Sequence, residues 1–431
     1  MTVLPRWTLA QRTLVLPEER LPWPATGLMG AQHLVAMSGS TVVGPLLMGF
    51  DPNLAILFSG VGTLIFLLCT GGRVPSYLGS SFSFIAVIVA VTGYTGSGPN
   101  PDIGPALGGI IACGALYALI GLIVTLTDTG WIERLMPPVV TGAIGAAIGL
   151  NLAPVAVKGI QGSGPHLAVA LTTLVAVALA SSIGPVLARR MSILTGIAVG
   201  YGLVLILGNG LALLPAIDYA ELAAAPWFGW PTFRSPTFDL PAILLIAPVA
   251  IILVAENLGH IKAIGVMTGR NLDPLIGRGF IGDGVATMIS GAGGGTGVTT
   301  YVENMGVMAI TRVYSSLVFV AAALFAIGLG FSPKFGALLR TVPPPVLGGL
   351  SVAVFGLIAG AMVRVWVDNR VDFAQPRNLF TVGTALIFGA GNFSLAFGSF
   401  AIGGIGTSTL AAIGMYQLMS AVSAREPSTG G

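Results

Sequence analysis

Apolar residues run along this chain in long blocks, broken by short polar stretches or by clusters of glycine and proline. The blocks fall at 27–50, 54–70, 77–92, 104–127, 137–156, 166–184, 193–214, 242–264, 279–297, 303–312, 315–331, 344–364, 378–393 and 398–421. A helix of about 20 apolar residues crosses a bilayer, so the pattern predicts an all-α polytopic membrane protein with fourteen transmembrane segments. Two segments depart from the rest. The third follows a Gly71-Gly72-Arg73-Val74-Pro75 turn and opens with Gly79-Ser80-Ser81-Phe82-Ser83-Phe84, a strand-like alternation. The tenth is too short to span; it follows a glycine run at 291–297 and an extended piece at Val298–Tyr301. Both are expected to be part strand and part helix. Residues 215–240, with Trp227, Trp230 and four prolines, read as an amphipathic or irregular loop at an interface.

The order of the blocks repeats. Ala31-Gln32-His33-Leu34 matches Ala255-Glu256-Asn257-Leu258, and Tyr77 matches Tyr301 at the same offset of 224 residues. Pro137-Pro138-Val139 then recurs as Pro344-Pro345-Val346. Segments 1, 3 and 5 therefore correspond to 8, 10 and 12. Seven is odd, so the second copy enters the bilayer upside down. Inverted repeats with interrupted segments at matching positions point to a transporter with its site near the midplane. Of the nineteen basic residues, only Lys158, Arg234, Lys334 and Arg340 fall on one side of this topology. Positive loops stay in the cytoplasm, which predicts cytoplasmic termini and an even number of spans in the cytoplasmic (inner) membrane.

Composition agrees: 54% of residues are hydrophobic and 8% charged, against roughly a quarter charged in soluble domains. The 62 glycines and 28 prolines suit closely packed, interrupted membrane helices. A net charge of +3 gives no reason to expect a nucleic-acid partner. Cys69 and Cys113 lie in apolar runs, so no structural disulfide is expected. Residues 1–26 carry Arg6, Arg12, Glu18, Glu19 and Arg20 and no long apolar core, so no cleavable signal is expected.

Against this background two carboxylates stand out. Glu256 lies mid-span in a run from Ile246 to Val266, where a charge costs a few kcal/mol. Glu303 opens the tenth segment, where a half-helix aims free N–H groups and the positive end of its dipole at a bound molecule. The plainer readings are a protonated Glu256 bonding a neighbouring helix and an exposed Glu303 at a helix start. His260 follows Glu256 by four residues, on the same face, and such a pair can pass or store a proton. His33 sits at the position matching Asn257 and reads equally as a packing hydrogen bond or a site residue. His166 is expected at an interface. Ser80, Ser81 and Phe82 mark the strand-to-helix switch of the third segment, opposite Val302, Glu303 and Asn304; Phe82 stacks on a planar ligand or simply packs. Asn304 is expected to tie the crossing backbones together. The glycine run lacks the Gly-Lys-Ser/Thr ending of a phosphate loop. No His-Glu-x-x-His, Gly-x-Ser-x-Gly or aspartate-rich motif is present, so no enzyme activity, metal or cofactor is expected.

Glu303-Asn304-Met305-Gly306 followed by Thr311-Arg312 resembles the signature of the nucleobase–ascorbate transporter family. Thr299-Thr300-Tyr301, Gln32-His33, Tyr77 to Phe82, and Ala255-Glu256 with Gly259-His260 resemble its bacterial uracil permease branch. The resemblance implies two inverted seven-segment repeats divided into a core and a gate. The core would take residues 1–130 and 241–335, and the gate 131–240 and 336–431. It implies proton-coupled uptake of a uracil-type pyrimidine by alternating access, in a homodimer within the lipid bilayer. By carry-over, Glu256, Glu303, Phe82, Val302, Ser81 and Tyr301 bind the base. His260, Glu256 and Glu303 handle the proton, and His33, Asn304, Gln32 and Ser40 support the site. Two departures stand out: Val302 replaces the glycine usual in that branch, and Thr296-Gly297-Val298 replaces Thr-Pro-Asn. A carrier of the same fold for a purine of the xanthine or urate type, or for a small anion, is the alternative.

Overall fold

Proline and glycine set where the apolar blocks of this chain start, stop and touch. The computed structural model describes residues 4–11, 14–94, 98–184, 189, 191–397 and 400–423; the side chains of 38–40, 302, 396–397, 400–402 and 423 lie outside that description. After two short paired strands, β1 (Thr8–Leu9) and β2 (Glu19–Arg20), the chain enters α1 (Trp23–Met48) and α2 (Pro52–Cys69). The Asp51 carboxylate caps α2 by accepting from Asn53 N–H at 2.8 Å, and Pro52 fills the first helical position, where a missing N–H costs nothing. β3 (Leu78–Ser80) leads through a 3₁₀ turn at Phe82–Phe84 into α3 (Ile85–Thr92). Then come α4 (Ile103–Leu126), a short α5 (Gly130–Leu135), α6 (Pro138–Asn151), α7 (Ala153–Ile160), α8 (Gly164–Ile183) and α9 (Ser192–Val204).

Residues 215–239 are irregular apart from α10 (Ala220–Ala224). Trp227, Phe228 and Trp230 are exposed there, with Phe331 against Phe228 and Trp230 at 6.0 and 5.3 Å. The second half holds α11 (Leu240–Ile246), α12 (Val249–Thr268), α13 (Ile276–Gly293), β4 (Val298–Thr300), α14 (Val302–Thr311), α15 (Ser316–Gly330), α16 (Pro333–Arg340), α17 (Pro344–Asp368) and α18 (Pro376–Ala390). A hairpin of β5 (Leu395–Phe397) and β6 (Phe400–Ile402) precedes α19 (Gly404–Ser423).

The protein is mostly helical, with the long apolar helices of a polytopic membrane protein. Among the described residues seven stretches are long and apolar enough to cross a bilayer, or eight if α15 and α16, bent by 81°, count as one. Three expected segments differ in detail. The segment at 137–156 breaks at Leu152, where Pro154 supplies no N–H for the helical ladder. The one at 242–264 starts at Leu240 and breaks before Val249, next to Pro248. The one at 398–421 is expected to be helical throughout, yet Phe400–Ile402 is strand and the helix begins only at Gly404.

Helices α4 and α13 pack closely on each other. A Cβ on Gly114 would meet the Gly284 carbonyl at 2.6 Å, and one on Gly277 would meet the Gly121 carbonyl at 2.7 Å. Small residues let membrane helices approach to backbone contact. Around that pair, α2 packs on α13 and α15, and α1 on α15. A second group forms from α6, α17, α8 and α9, joined by α18 and α19.

Candidate functional site

The two interrupted segments meet. β3 and β4 pair antiparallel, Leu78 opposite Thr300, Gly79 opposite Thr299 and Ser80 opposite Val298. The ladder is extended by Tyr301 N–H donating to the Tyr77 carbonyl (3.0 Å) and Ser81 N–H to the Gly297 carbonyl (2.9 Å). All six strand residues are buried. Backbone polar groups in a membrane interior must find partners, and these two strands satisfy each other. Gly294 permits the turn from α13 into β4: its φ of +93° is closed to residues with a Cβ.

Helical backbone starts immediately past each strand, so the antiparallel ladder carries one helix N-terminus at each of its two ends. In the first segment the Ser81 hydroxyl accepts from Ser83 N–H at 3.3 Å. In the second, α14 has no side-chain cap from Tyr301, and Glu303 lies in its first turn. First-turn N–H groups have no intrahelical partner. They carry the positive end of the helix dipole.

Glu303 is exposed on α14, and Glu256 is half-buried on α12. The two carboxylates lie within electrostatic reach of each other, and the Tyr301 hydroxyl within reach of both. From Glu303 the exposed positions continue along α14 through Gly306 and Ile310 to Arg312; on α12 they run through Gly259 to Val266. Phe82 is half-buried, with its ring over Gly44 of α1. Ser81 is buried. Tyr301 is buried too and turns its hydroxyl to the Ser80 carbonyl at 2.7 Å.

The histidines divide. His260 lies one turn beyond Glu256, but its Nδ1 sits 2.6 Å from the Thr300 hydroxyl, which ties it to β4. His33 packs on Phe319 with ring centroids 4.6 Å apart. It lies beside Asn304 in the buried seam of α1 and α14, the imidazole and amide atoms stopping short of hydrogen-bond geometry. Asn304 thus meets α1 rather than the crossing strands. Gln32 is half-buried on α1. Val302 supplies the first residue of α14; its side chain, like that of Ser40, lies outside the described residues. His166 is at the start of α8, its Nε2 3.1 Å from the Gly159 carbonyl.

A third acidic residue emerges that the sequence reading passed over. Asp283 on α13 is fully buried and accepts from the Asn257 amide at 2.6 Å. The same amide donates to the Tyr117 hydroxyl at 3.0 Å, which donates onward to the Leu253 carbonyl at 3.1 Å. Thr300 joins Asn257 at 3.3 Å. A hydrogen-bonded chain therefore runs from His260 through Thr300 and Asn257 to Asp283, and Glu256 lies within electrostatic reach of Asp283. The depth argument applied to Glu256 would have found Asp283, which sits inside the apolar run 279–297. Among the described residues no three His, Cys, Asp or Glu side chains gather as a metal site.

Two broken segments cross at buried strands in a polytopic membrane protein, with Glu303 in the first turn of the helix that follows one of them. The chain belongs to the Permease family, whose model matches residues 25–396, and within it to the nucleobase–ascorbate transporters. It is 56% identical over 420 residues to the putative pyrimidine permease RutG of Escherichia coli (strain K12), covering 96% of this chain and 95% of that one. It is 41% identical over 401 residues to the uracil permease of Bacillus caldolyticus, covering 89% and 90%. To the uracil permease of Escherichia coli (strain K12) it is 37% identical over 421 residues, covering 95% and 94%. Among solved structures, the fold is similar to SLC26A9, with a TM-score of 0.66 at 12% identity over 94% of this chain and 66% of that one. It is also similar to the transmembrane domain of the cyanobacterial bicarbonate transporter BicA, with a TM-score of 0.61 at 15% identity over 90% and 97%.

Proposed function

We propose that the protein takes up a uracil-type pyrimidine together with a proton across the cytoplasmic membrane. The observation that carries this reading is the pair Glu256 and Glu303, held within electrostatic reach where α14 begins without a side-chain cap. Uracil is flat and neutral, with N–H donors alternating with C=O acceptors. Carboxylates accept from its N–H groups, and the first-turn amides of α14 and the Phe82 turn donate to its carbonyls. Bonds to charged groups contribute about 1.5–3 kcal/mol each. Two or three of them, with stacking on Phe82, reach the ~8 kcal/mol of a micromolar complex. The names of the relatives, pyrimidine and uracil permeases, support the same cargo.

In this reading the fourteen segments form two inverted repeats of seven. Residues 1–130 and 241–335 make a core that carries the site, and 131–240 and 336–431 make a gate, with both termini cytoplasmic and two copies forming a homodimer. The exposed track from Glu303 to Arg312 is the route by which cargo leaves. A proton on the Glu256–His260 side or on Glu303 removes the cost of moving a bare carboxylate as the core shifts, which couples the two movements. Alternating access then follows from the core moving past the gate.

Uptake of labelled uracil into proteoliposomes under an imposed inward proton gradient tests the proposal. Gradient-stimulated uptake, competed by unlabelled uracil and not by xanthine or bicarbonate, is the expected result. Uptake of a purine or an anion in its place would reassign the cargo, and uptake indifferent to the gradient would remove the proton.

A further inference from the structure

Helix α14 is ten residues long, too short to be stable alone, and its N-terminal end lacks a side-chain cap. Its other end is held from outside. Arg312, which follows its last residue, is left-handed at φ +57°. Val15 N–H donates to the Arg312 carbonyl at 3.0 Å, and Tyr314 N–H returns a bond to the Val15 carbonyl at 2.8 Å. Directly after this bridge, Ser316 N–H and the Ser316 hydroxyl both donate to the Pro17 carbonyl, at 3.1 and 2.8 Å. The Ser315 hydroxyl donates to the Glu19 carbonyl. Val15, Val313 and Val318 form a buried cluster of their own, with Leu21 and Met29 against it. The Glu18 carboxylate receives two guanidinium nitrogens of Arg270, one at 2.8 Å, and so anchors the same segment to the loop after α12.

We propose that residues 15–19 are a positioning strap for the carboxylate site. A stiff helix of this length spans about 15 Å, so fixing the turn at Arg312 fixes where Glu303 and the first-turn amides stand at the opposite end. The Arg270 pair orients the strap against the helix that carries Glu256, so both carboxylates are referred to one segment. None of these residues touches cargo; they act through α14. The proposal rests on Glu303 being a cargo-binding group.

Hydrogen–deuterium exchange and uracil binding, measured on the full-length protein, test it separately. Val15→Pro removes the N–H that donates to Arg312. It is expected to speed exchange of the 303–312 amides about tenfold or more while amides of α2 and α13 keep their rates. Uracil affinity is expected to fall about tenfold, with maximal uptake rate less affected. Should that variant fail to fold, Glu18→Arg is expected to give the same changes in smaller measure, and Glu18→Arg combined with Arg270→Glu to reverse them. Unchanged exchange at 303–312 in whichever variant folds overturns the strap, whatever the cargo. Faster exchange with unaltered affinity, in a protein that binds uracil, overturns its bearing on the site. If the unmodified protein binds no uracil, the cargo assignment fails, and the exchange result alone decides whether the strap exists.

Discussion

The Tyr301 hydroxyl donates to the carbonyl of Ser80 at 2.7 Å, pinning the end of one broken segment to the switch point of the other. The Thr41 hydroxyl lies 3.3 Å from the same phenol oxygen, and the ring covers Gly79 so closely that a Cβ there would fall 2.6 Å from it. Tyr301→Phe is expected to lower stability by about 1–2 kcal/mol, since it leaves a buried carbonyl without its donor. Gly79→Ala forces the ring or the strand to move and is expected to cost about 1–3 kcal/mol. Melting of both variants in detergent checks this; a Gly79→Ala protein as stable as the parent would contradict the close approach.

The two carboxylates are separable by substitution. Glu303→Gln keeps the side chain's shape while removing its charge, so one charge-assisted bond weakens, and uracil binding is expected to fall about 10- to 150-fold. Glu256→Gln is expected to weaken binding similarly and also to make uptake insensitive to the proton gradient. Binding to purified protein and counterflow in vesicles distinguish the two effects. Gradient-driven uptake at the parent rate in Glu256→Gln would exclude Glu256 from coupling.

Asp283 gives a third test. Replacing it with Ala leaves one N–H of the Asn257 amide without its acceptor and removes the oxygen 3.4 Å from the Tyr117 hydroxyl. Unsatisfied buried donors cost about 1–3 kcal/mol each. Asp283→Asn retains an acceptor and is expected to lose less. Equal melting of the two variants would show that the carboxamide network does not depend on this oxygen.

The Glu18–Arg270 pair predicts a pH dependence. The hydrogen bond from Arg270 holds the Glu18 carboxyl below its ordinary 4.5. A carboxyl depressed on folding contributes stability that is fully present above pH 4.5 and is lost as the pH falls through the lower folded value. Both partners are partly solvated, so the contribution is about 0–1 kcal/mol. The stability difference between the parent and Glu18→Gln is expected at pH 7 and should shrink as the pH falls below 4.5; a constant difference would refute the linkage.

Much of this was legible in the sequence. The Gly79 to Phe84 alternation and the short run after Tyr301 announced the two broken segments, because each interrupts the helical apolar pattern. The repeat offset put Tyr77 and Tyr301 at corresponding positions, and the backbones of the two do pair. Glu256 and Glu303 were conspicuous as charges in apolar surroundings. The partners of the polar groups were not legible: His260 was placed with Glu256 by helical spacing, yet its nearest bond is to Thr300, which arrives from a distant strand. Asn304 was expected at the strand crossing and faces His33. Contacts of this kind depend on which helix faces turn together, and no single segment encodes that. The hairpin at β5 and β6 escaped because its residues are as apolar as those of a helix.

The shared strands at the crossing are only three residues deep. Adding or removing one residue in either would turn Tyr301, Ser80 and the helix starts to the opposite face at once. Adaptation of such a carrier to a new cargo is therefore confined to exchanging letters at fixed spacing. Insertions belong in stretches away from that crossing.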